Sequence, residues 1–166
     1  MAVLIVDDPF PINDYIRPAC LPPVEWARNL KDGKMVISGM GQTQTTSRQS
    51  PTMQIATITM KSKMACTNSI GSHFKSVYSL YLIELFSKNI YIYSFYSGRT
   101  MICADGMNKN TCRGDSGGPL LANIDGKFTL VGITSWGPKG CGGPDNFGVY
   151  VDISETNILN FVNQIN

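Results

Sequence analysis

The hydrophobic positions of the chain fall into short runs rather than long stripes. Five runs rich in Val, Ile and Thr lie at 35–41, 53–60, 119–124, 128–136 and 147–153. Gly, Pro, Asn and Asp interrupt the sequence between them, as in turns. Short apolar runs separated by turn residues predict an all-β protein, a sandwich or a barrel.

The two ends of the chain have different patterns. Val3–Val6 is a short apolar run that predicts a strand, and the Pro-, Asp- and Asn-rich passage after it is expected to run extended. Near the C-terminus the apolar residues recur with the period of a helix, and Ser154 and Glu155 mark its predicted start. The predicted apolar face of this helix consists of Ile158, Phe161, Val162 and Ile165.

Composition and charge narrow the class of protein. Hydrophobic residues make up 43% of the 166 positions and charged residues 16%, which excludes a disordered chain and fits one ordinary domain or two very small ones. The net charge is +2 without a run of either sign, so no nucleic-acid partner is expected. Asp7 and Asp8 interrupt the first apolar run too early for a signal peptide. Residues 77–97 are long enough to span a bilayer, but Glu84 and Lys88 lie inside them, so we expect no membrane span.

Five cysteines stand at 20, 66, 103, 112 and 141, and none of them forms a C-x-x-C pair. Zinc knuckles and thioredoxin-like redox motifs are therefore not predicted, and neither a metal nor a cofactor is expected. Five cysteines can form two disulfides in 15 ways with one left over, so their spacing alone leaves the pairing open.

The segment Cys112-Arg-Gly-Asp-Ser-Gly-Gly-Pro-Leu120 is the strongest chemical motif. A serine flanked by glycines can occupy a tight turn whose backbone amides point at a reacting carbonyl oxygen. The segment also fits the G-x-S-x-G elbow of the α/β-hydrolases. That elbow leads into a helix and requires a later histidine. Here Pro119 leads into a predicted strand, and the only histidine, His73, comes before the serine.

Together with four other segments, this motif resembles the trypsin/chymotrypsin family of serine endopeptidases. Residues 1–4 are similar to the segment after the family's catalytic aspartate, and 14–22 to the connector between its two β-barrels. Ser135-Trp136-Gly137 is similar to the substrate-binding strand, and Gly148-Val149-Tyr150 to the strand behind the specificity pocket. The resemblance implies the second six-stranded β-barrel of a double barrel, with a short C-terminal helix.

The resemblance also implies an organisation along the chain. Residues 1–30 would be a remnant of the first barrel and the connector, and 31–166 the second barrel with its helix. Residues 77–97 enlarge the loop between Cys66 and Cys103 and contain no Gly, Pro, Asp, Ala or Arg. We interpret them as an insert, which looks like a retained intron; the alternative is a genuine hydrophobic loop that docks a partner or a membrane surface.

The resemblance assigns roles around the serine. Ser116 matches the nucleophile, and the amides of Gly114 and Ser116 match the oxyanion hole. Asp115 matches the aspartate that pairs with the new N-terminal amine after zymogen cleavage. The alternative is a turn-forming aspartate. We favour the family role for the full-length protein, but not for residues 1–166, where no cleavable Ile-Val N-terminus precedes it. Ser135 to Gly137, with Trp136 between them, would pair their backbone with an extended substrate; an ordinary core strand would have the same pattern.

Asn110, six residues before Ser116, matches the base of the primary specificity pocket, with Gly137 and Gly148 as its walls. An aspartate at the base would pair with Arg or Lys, and asparagine lacks the charge. We therefore expect a preference for a bulky apolar or uncharged polar substrate residue.

The resemblance pairs Cys66 with Cys103 and Cys112 with Cys141. It leaves Cys20 as a tether to an upstream segment. Disulfides of this kind imply a secreted protein in an oxidising compartment.

Two functions from different classes remain. The first is a secreted serine endopeptidase that cleaves polypeptides through an acyl-enzyme and meets protein inhibitors. The second is a non-catalytic homologue that uses the groove as a protein-binding module; an unrelated adhesive domain has little support. His73 lacks the Ala-Ala-His-Cys setting of the family, so the catalytic histidine and aspartate are expected upstream of Met1. The chain by itself is predicted to be inactive.

Overall fold

The structure is a computed structural model that describes residues 2–29, 33–44, 48–62, 64–68, 99–137, 141 and 146–164. Within these residues it contains six strands: β1 Lys34–Gly39, β2 Gln54–Met60, β3 Met101–Asp105, β4 Pro119–Ile124, β5 Lys127–Trp136 and β6 Gly148–Asp152. Two helices, Trp26–Asn29 and Thr156–Asn163, flank them, and residues 64–68 are also helical.

The six described strands close into an antiparallel barrel in the order β1-β2-β3-β6-β5-β4. Pairing of Met35 with Ala122 and of Ile37 with Leu120 joins β1 to β4 and completes the ring. The all-β barrel with a C-terminal helix is therefore confirmed. The same four side chains are buried and belong to the core of the barrel, because alternate residues of a strand face its interior.

The five predicted runs are confirmed as β1, β2, β4, β5 and β6, with ends within two residues of the prediction. The pattern missed β3, in which the three consecutive residues Ile102 to Ala104 are all buried, so the strand shows no alternation. Its strand character comes from pairing with β6, where Cys103 lies opposite Val149.

Val3–Val6 forms no strand, which corrects the prediction for the N-terminus. Leu4 and Ile5 are 89% and 83% exposed, and no described residue hydrogen-bonds to the backbone of 3–6. A strand needs a neighbour to pair its N–H and C=O groups, and an apolar run alone does not supply one. The division at residue 30 stays a prediction. Residues 77–97 and His73 lie outside the described residues.

The passage after the N-terminal run attaches to the barrel at Cys20. The Cys20 N–H donates to the Phe128 carbonyl (3.2 Å), and the Leu130 N–H donates to the Cys20 carbonyl (2.8 Å). This edge of β5 is free because β6 pairs only with the later part of the strand, from Gly132 onward. The passage therefore contacts the barrel wall at Cys20.

The predicted C-terminal helix is confirmed as Thr156–Asn163, with Glu155 as its N-cap. Its apolar face differs from the prediction. Leu159 is the buried residue, whereas Phe161 is exposed and Ile165 lies outside the described residues. Periodicity identifies an apolar side, but docking against the barrel selects which residues are covered.

Candidate active site

Ser116 lies exposed on the turn between Cys112 and β4. The Asp115 N–H donates to the Cys112 carbonyl (3.0 Å), and the Gly118 N–H to the Asp115 carbonyl (2.9 Å). Thr134 of β5 anchors the turn, because its carbonyl accepts from the Gly117 N–H (3.0 Å) and its N–H donates to the Gly118 carbonyl (2.9 Å). The serine hydroxyl is thus held at the surface by backbone contacts on both sides.

The amides beside the serine are available to a ligand. In the described part of the chain, neither the Gly114 N–H nor the Ser116 N–H donates to any residue. Gly114 has a φ of +97°, in the left-handed region, and a Cβ there would come within 2.7 Å of Gln49 Nε2. Two free backbone donors next to an exposed hydroxyl can bind a negatively charged oxygen that forms on an attacked carbonyl.

The half-buried Asp115 carboxylate accepts hydrogen bonds from two backbone N–H groups. Its Oδ1 accepts from the Gly41 N–H (2.8 Å) and its Oδ2 from the Cys112 N–H (2.9 Å). Residue 41 must be small, because a Cβ there would lie 2.5 Å from Asp115 Oδ1. The sequence analysis missed Gly41, which lies 74 residues from Asp115. The sequence signal that could have identified Gly41 is the segment Gly39-Met40-Gly41 at the end of β1, where two glycines stand close together.

A cavity of about 340 Å³ lies beside the Asp115 carboxylate. Apolar side chains of β1 and β2, including Ile37 and Ile55, form part of its wall, and Asn110 and Thr111 form another part. A carboxylate at the side of a partly apolar cavity suits a ligand that has a cationic amine and an aliphatic side chain.

Two hydrogen-bond donors orient the side chain of Asn110. The Thr111 backbone N–H donates to Asn110 Oδ1 (2.8 Å), and Tyr150 Oη donates to the same oxygen (3.1 Å). Gly148 is required beside them, because a Cβ there would lie 2.5 Å from Asn110 Oδ1 and 2.6 Å from Tyr150 Oη. The structure therefore brings Asn110 and Gly148 together, as the sequence analysis expected, and adds Tyr150 and Thr111 to the group.

Tyr150 is a buried residue whose surroundings raise the pKa of its hydroxyl. Burial raises the pKa of Tyr150 to about 12; the hydrogen bond with Thr111 acts in the opposite direction, and the charge of Asp115 adds to the increase. The phenol therefore stays protonated at physiological pH and can donate to Asn110.

Ser135, Trp136 and Gly137 end strand β5. The β5–β6 register shifts between Thr134 and Trp136, which leaves Ser135 without a facing residue in β6. Ser135 is exposed, whereas Trp136 is half-buried against the cluster that contains Phe147 and Val149. The segment is thus partly a core strand and partly an exposed edge near the serine turn.

Two disulfides form in the pairs that the resemblance implies, Cys66–Cys103 and Cys112–Cys141, with Cα separations of 6.1 and 4.9 Å. Cys20 is exposed and remains a free thiol in the described structure. Among the described residues no group of His, Cys, Asp and Glu side chains could hold a metal ion. None of the described helices is long and apolar enough to cross a membrane.

No base lies next to the serine in the described structure. None of the described residues hydrogen-bonds to the Ser116 hydroxyl, and His73 is outside them. A serine hydroxyl is a weak nucleophile without a base to accept its proton. The described site therefore supplies an exposed hydroxyl and two neighbouring amides without an acceptor among the described residues, but not the base.

Comparison with known proteins identifies the family. The model of the trypsin family matches residues 1–162. The chain is also similar to CLIP domain-containing serine protease B15 of Anopheles gambiae, with 31% identity over 146 residues. That alignment covers 86% of this chain and 34% of the relative, so the chain spans about a third of the relative's length. With the barrel and the serine turn in place, these matches show that the chain belongs to the trypsin family of serine proteases.

Proposed function

We propose that the protein is a serine endopeptidase in which Ser116 is the nucleophile. The observation that supports this most is the exposed Ser116 hydroxyl on a turn whose neighbouring amides, those of Gly114 and Ser116, have no acceptor among the described residues. Such an arrangement stabilises the negative charge that develops when a hydroxyl attacks a carbonyl carbon.

The reaction proceeds through an acyl-enzyme. Ser116 Oγ attacks the peptide carbonyl and a base removes its proton, while the carbonyl oxygen, now negative, is bound by the two amides. The C–N bond then breaks, the protonated amine leaves, and water releases the acyl group from Ser116. The family resemblance assigns the base to a histidine and an aspartate upstream of Met1. Residues 1–166 alone are therefore proposed to be inactive.

Asp115 and its cavity are proposed to control the turn. Both carboxylate oxygens already accept backbone N–H groups, from Gly41 and Cys112, and the cavity beside them has an apolar wall. A new N-terminal amine released by cleavage of a precursor would satisfy the negative charge there. The carboxylate would then hold the turn that carries Ser116.

Asn110 and Gly148 are proposed to form the base and wall of the pocket for the substrate residue at the cleaved bond, with Gly137 as the second wall. The absence of charge on Asn110 argues against Arg and Lys and in favour of a bulky apolar or uncharged polar residue. Substrates are polypeptides that add to the exposed edge at Ser135–Gly137. Protein inhibitors would bind at the same edge.

We also propose that the protein is secreted. The disulfides Cys66–Cys103 and Cys112–Cys141 are stable in an oxidising compartment and are rare in the cytosol. In such a compartment Cys20 is proposed to form a disulfide with a segment upstream.

A fluorophosphonate probe, which labels activated serines, tests the proposal. We expect the activated full-length protein to be labelled stoichiometrically at Ser116, and Ser116→Ala to abolish labelling. Residues 1–166 alone should be labelled at least about a thousandfold more slowly, since loss of the catalytic base removes most of the acceleration.

Two outcomes would contradict parts of this proposal. Rapid labelling of residues 1–166 would reveal a base within them. A full-length protein that is not labelled after precursor cleavage, yet binds peptides, would instead support the non-catalytic binding module.

A further inference from the structure

Arg113 lies at the corner of the turn that precedes the nucleophile. The Asp115 N–H donates to the Cys112 carbonyl (3.0 Å), so Arg113 and Gly114 are the two central residues of a four-residue turn. Gly114, with a φ of +97°, adopts the left-handed conformation that the third position of a type II turn requires. Arg113 is exposed, and it stands only three residues before Ser116 in the chain.

The charge of Arg113 has no partner among the described residues. The ion pairs seen there join Arg17 to Asp14 and Lys61 to Asp105, and no described carboxylate pairs with Arg113. An arginine keeps its positive charge at every physiological pH, and its planar fork of N–H donors matches the geometry of a carboxylate. The guanidinium is therefore available to an acidic group of a ligand.

The segment 42–49 contacts this side of the turn and adds no negative charge. The Gln42 N–H donates to the Arg113 carbonyl (2.9 Å), and a Cβ on Gly114 would lie 2.7 Å from Gln49 Nε2. Residues 42–49 contain neither Asp nor Glu, and their one charged residue is Arg48, which is also exposed. The surface on this side of the turn is therefore positively charged.

The other side of the turn is attached to β5. Thr134 accepts from the Gly117 N–H (3.0 Å) and donates to the Gly118 carbonyl (2.9 Å), and the exposed edge at Ser135–Gly137 follows it. Along the turn, Ser116 thus stands between the β5 contact and the contact with 42–49. A substrate whose residues before the cleaved bond lie along the β5 edge brings that bond to Ser116. Its following residues then extend toward Arg113.

The charge of Asp115 does not cancel that of Arg113 in the activated protein. Both Asp115 carboxylate oxygens accept backbone N–H groups, from Gly41 and Cys112, and the N-terminal amine proposed above would pair with the same carboxylate. This pairing neutralises the half-buried carboxylate, whereas the exposed guanidinium keeps its full charge.

We propose that Arg113 is a specificity-determining residue that selects substrates with an aspartate or glutamate among the first three positions after the cleaved bond. The acidic side chain pairs with the guanidinium while the carbonyl of the cleaved bond lies at Ser116. This inference rests on the proposed function, since it assigns a substrate preference to the same site. It concerns the residues after the bond and does not depend on the pocket at Asn110.

Peptides that differ only in charge test the preference. A peptide that the activated full-length protein cleaves is varied at each of the three positions after the bond, with Asp against Asn and Glu against Gln. We expect kcat/KM of the acidic peptide to exceed that of its amide partner about two- to fivefold at low salt, as for an exposed ion pair. The advantage should disappear in 1 M NaCl, where the screening length is about 3 Å. The inference is overturned if no acidic advantage occurs at these positions, or if it occurs only before the bond.

Variants isolate the charge of Arg113. Arg113→Gln should equalise the acidic and amide peptides, Arg113→Lys should retain the preference, and Arg113→Glu should reverse it. Each ratio is taken within one variant, so a general loss of activity cancels. Lys127→Gln is the matched control, because Lys127 is an exposed cation at the far end of β4 from Ser116. A preference that persists in Arg113→Gln, or that falls equally in Lys127→Gln, contradicts the role of Arg113.

The failure of this inference is distinguishable from the failure of the proposed function. A protein that the fluorophosphonate probe labels at Ser116, but that has no acidic preference, is an endopeptidase in which Arg113 does not select the substrate. If Ser116 is not labelled, binding of the same acidic and amide peptides is compared by fluorescence polarisation. Tighter binding of the acidic peptide, lost in Arg113→Gln, then supports the role of Arg113 without catalysis, and equal binding overturns it.

Discussion

At the scale of single residues, backbone donors rather than charged partners orient the polar groups of the site. Asp115 accepts from the Gly41 and Cys112 N–H groups, and Asn110 accepts from the Thr111 N–H. These orientations depend on the course of the main chain, since every residue type except proline provides the same donor. Tyr150 is the one side chain among these that donates a hydrogen bond. Its raised pKa has a consequence for stability that can be measured.

The raised pKa of Tyr150 predicts a loss of stability in alkali. The pKa is about 12 in the folded protein and 10.0 for an ordinary tyrosine, so the folded state holds the proton more tightly. The contribution is complete below pH 10 and is lost as the pH rises to 12. It corresponds to about 2–3 kcal/mol, at roughly 1.4 kcal/mol per pKa unit. Urea unfolding of the wild-type protein and Tyr150→Phe from pH 9 to 12 measures it.

The difference in unfolding free energy between the wild-type protein and Tyr150→Phe should fall by that amount over this interval. The phenylalanine variant is the control, because it keeps every other group that titrates in alkali. Parallel stability curves would show that Tyr150 ionises as freely in the folded protein as in the unfolded one.

At the scale of elements, the ends and irregularities of strands and helices position the site. The register shift after Thr134 exposes Ser135, and the Cys112–Cys141 disulfide ties the serine turn to the segment before β6. The C-terminal helix is held at its N-terminal end, by hydrogen bonds in its first turn. Glu155 is buried, and its Oε2 accepts from the Asn157 N–H (2.9 Å) and the Ile158 N–H (3.2 Å).

Replacement of this helix cap should destabilise the fold. We expect Glu155→Ala to lower the free energy of unfolding by about 1–2 kcal/mol, because two backbone donors lose their acceptor at the positive end of the helix dipole. Glu155→Gln should lose less, since its amide oxygen can still accept. Asn160→Ala, at an exposed position in the same helix, is the control and should leave stability unchanged or slightly higher. Equal effects of the two alanine substitutions would contradict the cap's role; denaturant unfolding measures all three.

At the scale of the whole molecule, the barrel is closed but the N-terminal passage is not covered by the described residues. Leu4, Ile5, Phe10 and Tyr15 are all exposed, and soluble monomers rarely expose large contiguous apolar patches. The relative from Anopheles gambiae is about three times as long as its aligned part. We expect this exposed apolar surface to associate with other apolar surface.

Residues 1–166 expressed alone should therefore bind the dye ANS and self-associate. The double substitution Leu4→Ser, Ile5→Ser should reduce both effects, because it removes two of the most exposed apolar side chains. Asn123→Ser, at an exposed polar position of β4, should change neither. Dye fluorescence and light scattering test this prediction. It is wrong if residues 1–166 are monomeric and do not increase the fluorescence of the dye.

The sequence by itself determined the family, five of the six described strands and the cap of the last helix. These follow from local patterns: the segment from Cys112 to Leu120, alternation with a period of two, and a polar residue before an amphipathic run. Only the tertiary structure identified β3, the Gly41 N–H bound to Asp115 and the Tyr150 hydroxyl bound to Asn110, 74 and 40 residues apart in the chain. It also identified Thr134 as a buried hydroxyl without a described partner. Local patterns specify which face of a segment is apolar, but contacts between distant residues depend on how the barrel closes.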